Sequence, residues 1–198
     1  MPETMTFYFD FSSPYGFLAS QKIDELARAI GRKVVWRPYL IGIVYKTFGG
    51  APVDHPLKKA YMLMDFARSA RLAGLADANF PPDFPASPVT PSRVFYWLES
   101  IAPDSAADFA RAAFRACWLG GRGVSDPEAA IEVASALGFE RAAIIAGMQE
   151  PAVKDRLRHE TEAAIAQGIF GSPVIQIDGE AFWGFDRFGM IEAMYRPR

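Results

Sequence analysis

The sequence predicts an α/β fold in which a large all-helical segment interrupts a small sheet. Apolar and polar residues alternate, as in strands, near the two ends of the chain, whereas the alanine-rich middle has apolar residues at helical spacing. The predicted order of elements is βαβ, then helices, then ββα. This order places the helical block inside a single sheet-containing module.

The first forty residues form a predicted βαβ unit. Residues 6–11 alternate in the manner of a strand, and residues 15–30 space their apolar side chains as a helix does, with Pro14 suited to its first turn. Residues 33–37 form a second short strand that ends before Pro38. A strand, a helix and a strand in this order imply a right-handed crossover and parallel pairing.

The middle of the chain is predicted to leave the sheet. It contains a loop, a helix, a proline-rich connector and a long helical region, over residues 40–56, 57–72, 81–91 and 92–137. Ser125 and Glu128 have the spacing of a capping box that starts a helix.

The end of the chain returns to the sheet. Its predicted elements are a helix, the two strands of a hairpin and a final helix, over residues 151–167, 174–177, 181–183 and 186–195. The Asp178-Gly179 pair favours the hairpin turn. The predicted fold is therefore thioredoxin-like, with a discontinuous domain of residues 1–55 and 150–198 and a helical insertion domain of residues 56–149.

Composition argues against several classes of function. The 198 residues carry a formal net charge of −2 without a basic patch, so no nucleic-acid partner is expected. The chain lacks a signal segment and any run of eighteen uncharged apolar residues, which predicts a soluble, cytoplasmic protein without a membrane partner. A single cysteine, Cys117, and two separated histidines exclude an intramolecular disulfide and predict no metal site.

Ser13 lies between the first strand and the first helix, at the kind of edge where open α/β sheets bind ligands. Its hydroxyl can either cap the helix or donate a hydrogen bond to a substrate thiolate, and the residues alone leave both roles open. A role as nucleophile is not predicted, because no Ser-His-Asp order is evident.

Two residues near the end of the chain can likewise have either a structural or a ligand-binding role. Pro173 opens a strand, either as an edge residue or with a cis peptide bond that turns the main chain of Ser172 towards a peptide-like ligand. Asp186 precedes a helix, which it can cap, or it can bind a ligand ammonium. Taken alone, Lys58 is typical of a surface lysine and Cys117 of a buried small residue.

Four stretches together resemble one family in their order and spacing, namely residues 7–15, 124–128, 168–173 and 182–187. They are similar to the 2-hydroxychromene-2-carboxylate isomerase family, relatives of kappa-class glutathione transferases in the DsbA-like thioredoxin superfamily. In that family a serine replaces the first cysteine of a Cys-x-x-Cys motif, which here reads Ser13-Pro14-Tyr15-Gly16. Both cysteine positions are empty, so dithiol exchange is excluded.

The resemblance implies glutathione as the cofactor and Ser13 as the catalytic residue, which stabilises the glutathione thiolate. It implies that glutathione is bound by Lys58, Ser172, Pro173, Trp183, Phe185 and Asp186. In this interpretation Pro173 is cis, the main chain of Ser172 pairs with the cysteinyl part, and Lys58 meets a carboxylate. Phe185 and Asp186 receive the γ-glutamyl end, and Trp183 lines the pocket.

This chain departs from the family pattern in two places. An asparagine that many members carry about nine residues before the lysine is absent, and Gly49 and Gly50 occupy that region. Residues 49–56 and 81–91, which would flank the substrate pocket, also follow the pattern poorly.

The implied activity is a glutathione-dependent isomerisation of 2-hydroxychromene-2-carboxylate and trans-o-hydroxybenzylidenepyruvate, or of a similar aromatic enone acid, in aromatic catabolism. One alternative is a kappa-class-like glutathione transferase or peroxidase. A second is a noncatalytic peptide-binding module on the same scaffold. The resemblance also implies a homodimer.

Overall fold

The computed structural model describes residues 3–197, and a four-stranded mixed sheet lies at its centre. In spatial order, the strands are β2 (Lys33–Pro38), β1 (Thr4–Phe9), β3 (Val174–Ile177) and β4 (Glu180–Trp183). Strand β1 pairs in parallel with β2 and antiparallel with β3, and β3 pairs antiparallel with β4. The thioredoxin-like α/β fold predicted from the sequence is confirmed.

Helices fill the connections and the middle of the chain. They are α1 (Pro14–Ala29), α2 (Ile41–Phe48), α3 (Pro56–Leu72), α4 (Val89–Ile101), α5 (Pro103–Trp118), α6 (Pro127–Ala136), α7 (Arg141–Gly147), α8 (Pro151–Ala166) and α9 (Phe188–Tyr195). Short 3-10 turns cover Pro52–Asp54 and Phe185–Arg187. Within residues 3–197, no helix combines the length and the apolar character that crossing a membrane requires.

Apolar cores lie on both faces of the sheet. On one face Phe9 and Phe17 pack with Phe114 and Trp118 of α5, and the rings of Phe17 and Trp118 stack at 5.9 Å. On the other face a smaller core joins β1, β3, α2 and α8 through Tyr8, Tyr39, Ile41, Val44, Ala164, Ile169 and Val174. Burial on both faces fixes the sheet and leaves the loops at the ends of its strands to form a site. The division into a thioredoxin-like domain and an insertion domain stays a prediction.

Helix α2 corrects the prediction of a continuous loop over residues 40–56. Its N-cap residue, Leu40, makes no side-chain capping hydrogen bond. Instead, Oδ2 of Asp10 accepts a hydrogen bond from the N–H of Ile41 at 2.9 Å, across a separation of 31 residues. A cap supplied from so far along the chain leaves no local signal in the sequence.

One predicted helix cap is wrong, and the structure excludes capping as one of the two roles left open for Asp186. Helix α6 is capped by Asp126, whose carboxylate accepts from the N–H of Glu128 at 3.0 Å, whereas the Ser125 hydroxyl oxygen accepts from the N–H of Ser87. The residue before a proline favours extended backbone, and Asp126 directly precedes Pro127 at the first helical position. Asp186 lies in a 3-10 turn and does not cap α9, whose N-cap residue is Arg187.

Candidate active site

Ser13 stands at the end of the loop that joins β1 to α1. Its backbone is extended, and its Oγ accepts a hydrogen bond from the N–H of Gly16 at 3.0 Å, so it caps α1. The same hydroxyl donates to the carbonyl oxygen of Ser172 at 2.8 Å. Ser13 therefore combines the cap with a donor that faces the Ser172-Pro173 loop.

The Ser172–Pro173 peptide bond is cis, as the resemblance implies. The side chain of Ser172 is tied to the end of β1, because its Oγ accepts from the N–H of Asp10 at 2.9 Å. Pro173 is buried, and its carbonyl accepts from the N–H of Gly184 at 3.0 Å. These bonds fix the main chain of Ser172 beside the N-terminus of α1.

Asp10 lies beneath both serines and is fully buried. Its Oδ1 accepts from the N–H and the hydroxyl of Ser12, at 2.8 Å and 2.6 Å, and its Oδ2 accepts from the N–H of Ile41. Burial raises the pKa of Asp10 to about 6, although the hydrogen bonds from Ser12 and Ile41 oppose this rise. One carboxyl group thus connects the Ser13 loop to the start of α2.

Sequence analysis did not single out Asp10. The available signal was a carboxylate placed between two phenylalanines, two residues before Ser12, where an alternating strand gives way to a helix. A charged residue in such apolar surroundings indicates a buried group with bonded partners.

Gly16 occupies the second cysteine position of the motif, where a side chain would be crowded by its neighbours. A Cβ built there would lie 3.0 Å from Cβ of Ser13 and from Oγ of Ser172, and 3.2 Å from the carbonyl oxygen of Asp10. The absence of a second thiol is therefore matched by the packing around this position.

A cavity of about 1130 Å³ opens beside Ser13. Of the predicted site residues, the structure brings Ser13, Lys58, Ser172 and Trp183 together in its lining. Helix α2 and the segment 84–89 supply much of the remaining wall, which is mainly apolar. Pro173, Phe185 and Asp186 lie outside the lining residues.

Trp183 is half exposed at the cavity and has a fixed neighbourhood. Its ring meets that of Phe170 edge-on at 4.9 Å, and its indole lies against Gly171 so closely that a side chain there would overlap it. Such a ring offers a flat apolar surface to a ligand.

Phe185 and Asp186 occupy the 3-10 turn after β4. Phe185 packs against Phe188 at 5.1 Å, and Asp186 is exposed and pairs with Arg187 at 2.9 Å. The charge of Asp186 contributes to a raised pKa of Tyr15, a lining residue, although burial and the hydrogen bond to Asp65 contribute more. Asp186 therefore lies close enough to the cavity to act on it electrostatically.

Tyr15 of α1 is hydrogen-bonded to Asp65 of α3, the helix that carries Lys58, and Tyr61 of α3 contacts the same carboxylate. The Tyr15 hydroxyl donates to Oδ2 of Asp65 at 2.7 Å, and that of Tyr61 donates to Oδ1 at 3.3 Å. Both tyrosines line the cavity. Lys58, which is exposed one turn before Met62, lines the same cavity.

These features define a class of protein: a thioredoxin-like sheet interrupted by helices, with serine at the first motif position and a cis-proline loop facing it. Comparison with known proteins agrees, since the family model described as "DSBA-like thioredoxin domain" matches residues 4–196. A "2-hydroxychromene-2-carboxylate isomerase" of Sphingobium xenophagum is 30% identical over 98% of both chains. The chain belongs to the DsbA-like thioredoxin family and, within it, to the family of the 2-hydroxychromene-2-carboxylate isomerases.

Two further comparisons support this placement. A solved structure titled "2-hydroxychromene-2-carboxylate isomerase" superposes with a TM-score of 0.86, at 28% identity over 96% of this chain and 93% of the other. "Glutathione S-transferase kappa 1" of Homo sapiens is 24% identical over 96% of this chain and 90% of its own length. The relationship to kappa-class transferases is thus more distant but spans nearly the whole chain.

Proposed function

We propose that this protein is a glutathione-dependent isomerase of 2-hydroxychromene-2-carboxylate and trans-o-hydroxybenzylidenepyruvate, or of a similar aromatic enone acid. The observation that carries the proposal is the Ser13 hydroxyl, which caps α1 and donates to the Ser172 carbonyl at the edge of the cavity. The names of the relatives support both the reaction and the use of glutathione.

The Ser13–Ser172 hydrogen bond is the contact that glutathione would replace. The cysteinyl N–H of glutathione would donate to the Ser172 carbonyl, and the released Ser13 hydroxyl would donate to the sulfur. No polar group is left unpaired by this exchange, so its cost is small. The N-terminus of α1 and the hydroxyl both favour the thiolate and lower the pKa of the thiol.

The remaining predicted residues would hold the two ends of the tripeptide. Lys58 would pair with a carboxylate, Asp186 would attract the γ-glutamyl ammonium together with the main chain near Phe185, and the Trp183 ring would cover the peptide. Pro173 would act through its cis peptide bond, which sets the direction of the Ser172 main chain. A strand-like edge of this kind is a common way to bind a peptide backbone.

The isomerisation then needs no net change in glutathione. The 2-hydroxychromene hemiketal opens when its ring carbon–oxygen bond breaks and its hydroxyl proton passes to the phenolic oxygen, which gives the cis enone. The thiolate adds to the alkene carbon β to the ketone, and the electrons pass to the ketone oxygen as an enolate. The former double bond is then a single bond and rotates. When the enolate collapses, the carbon–sulfur bond breaks and the thiolate returns. The protein lowers the thiol pKa and orients the acceptor beside the sulfur.

A glutathione titration followed by calorimetry and ultraviolet difference spectroscopy tests the proposal. The wild type should bind glutathione with thiolate absorbance, and Ser13→Ala should lose that absorbance and about a hundredfold in kcat. Ser100→Ala, at an exposed position of α4, is the matched control. Burial raises the pKa of Cys117 to about 12, so the protein's own thiol adds no thiolate signal at neutral pH.

Two results would end the proposal: no glutathione binding by the wild type, or equal activity and equal thiol pKa in Ser13→Ala. A noncatalytic peptide-binding module would give no thiolate absorbance. A kappa-class-like transferase or peroxidase, which the human relative favours, would consume glutathione. Measuring total glutathione during turnover separates it from the isomerase, which leaves that total unchanged.

A cytoplasmic homodimer stays part of the proposal. Helices α2 and α3 expose large apolar side chains, with Phe48 71%, Leu57 76% and Leu72 90% accessible. Exposed apolar side chains of this size are typical of surfaces that a partner covers. Light scattering at several concentrations measures the oligomeric state, and a monomer at all of them would contradict the dimer.

A further inference from the structure

We infer that α2 and the segment 84–89 form the acceptor wall of the cavity and that Lys46 binds the carboxylate of the acceptor. This inference rests on the proposed function and names the residue that would make an aromatic acid, rather than a neutral enone, the substrate. The residues assigned above to glutathione leave the acceptor without a binding residue.

The cavity has room for a second molecule beside glutathione. Its volume of about 1130 Å³ lies above the range in which most small-ligand sites fall, roughly 300–1,000 Å³. The glutathione residues lie on the sides formed by the α1 N-terminus, the cis-proline loop and α3. The acceptor wall contributes mainly apolar side chains, namely those of Ile41, Tyr45, Phe84, Pro85 and Val89. These surfaces suit a planar aromatic ring.

Two lysines line this cavity, and glutathione accounts for one of them. Lys58 projects from α3, and Lys46 projects from α2 on the acceptor wall. Within residues 3–197, no carboxylate forms a salt bridge with the ammonium of Lys46. A cation beside an apolar wall is suited to a ligand that combines a ring with a carboxylate.

Lys46 lies on the same face of α2 as Gly42, which is four residues earlier and also lines the cavity. Side chains of a helix tilt towards its N-terminus, which for α2 is the end bonded to Asp10. A Cβ at Gly42 would meet no atom within 4 Å, so the space beside Gly42 is open. The N-terminus of α2 lies at Asp10, beneath the Ser13 loop.

This placement also suits the charge that develops in the reaction. In a pyruvate-type enone the carboxylate is bonded to the ketone carbon, and thiolate addition places negative charge on that ketone oxygen. An ammonium that pairs with the carboxylate therefore also stabilises the enolate. A neutral enone would receive only part of this stabilisation.

The test compares Lys46→Met with Lys59→Met, since Lys59 is exposed on α3 outside the cavity lining. The substrates are trans-o-hydroxybenzylidenepyruvate and its methyl ester, and the glutathione Kd is measured in parallel. Lys46→Met should lower kcat/KM for the acid about tenfold or more, change that for the ester much less, and leave the glutathione Kd unaltered. Lys59→Met should match the wild type.

Gly42→Phe is a second variant, which places a ring at an exposed position of α2 that lines the cavity. It should lower kcat/KM for the acid and the ester together, without changing the glutathione Kd. The inference is wrong if Lys46→Met affects acid and ester equally, or neither, in an enzyme whose wild type binds glutathione and isomerises the acid. A wild type that does neither would overturn the proposed function itself, and the inference with it.

Discussion

The cavity has two walls of different construction. The sheet wall, formed by Ser13 and Ser172 above Asp10, is a closed set of hydrogen bonds among buried or partly buried groups. The acceptor wall carries exposed groups such as Lys46, and Gly42 has free space around it. Groups that stabilise charge need a fixed geometry, whereas groups that select a substrate can vary without disturbing the fold. In the proposed function, thiol activation belongs to the sheet wall and substrate specificity to the acceptor wall.

The largest expected change in the free energy of unfolding comes from replacing Asp10, whose carboxylate lies beneath the two serines of the sheet wall. Burial raises its pKa from 3.8 to about 6, so between these values the native state holds a proton that the unfolded state has lost. The free energy of unfolding should therefore fall as pH rises from about 4 to about 6, by on the order of 3 kcal/mol from this group.

Asp10→Asn should abolish this component of the pH dependence and loosen the Ser13 loop, because an amide cannot accept from both Ser12 and Ile41. Urea unfolding at several pH values from 4 to 7 measures the effect. Asp77→Asn, at an exposed position, should retain the wild-type slope. Parallel curves for wild type and Asp10→Asn would show that Asp10 titrates alike in the folded and unfolded states.

A smaller loss of stability should follow from adding a side chain at the crowded Gly16 position, which tests how tightly the sheet wall is packed. Gly16→Val would press on Ser13, Ser172 and the main chain of Asp10, and overpacking of this kind costs about 2 kcal/mol. It should also weaken glutathione binding, because both serines must move. Thermal unfolding and calorimetry measure the two effects, and a variant as stable as the wild type would mean that the wall adapts.

The smallest change in stability is expected from Gly42→Ala, a substitution in the acceptor wall. The added methyl group meets no atom within 4 Å, and glycine within a helix is about 0.5–1 kcal/mol less favourable than alanine. The variant should therefore unfold at a slightly higher urea concentration than the wild type. A loss of stability would show that α2 is packed more tightly at this position than the structure indicates.

Much of the fold could be predicted because its signals are local. The alternation in β1, the Asp178-Gly179 turn and the prolines at helix starts each depend on neighbouring residues only, and the βαβ…ββα order follows from them. Helix α2 could not be predicted in this way, since its first N–H is bonded by Asp10. A contact that exists only after the chain has folded leaves no periodic pattern in the sequence.

In the candidate site, too, the features with local sequence signals could be predicted and those that depend on long-range packing could not. Ser13 and the cis peptide bond before Pro173 could be expected from short motifs and a family resemblance. The bond between Ser13 and the Ser172 carbonyl, and the raised pKa of Asp10, depend on packing between distant segments. Lys46 was missed because an exposed lysine on a short helix looks like any other surface residue until the cavity is seen.

The crowding at Gly16 also determines how the site would respond to a single thiol. A cysteine introduced at position 13 could be captured by oxidised glutathione as a mixed disulfide. A cysteine at position 16 could attack that disulfide from within the protein, but its Cβ would lie 3.0 Å from Cβ of residue 13 and from Oγ of Ser172 in the present packing. Without it, a second thiol from solution must release the mixed disulfide, so one substitution at position 13 would not produce a dithiol oxidoreductase.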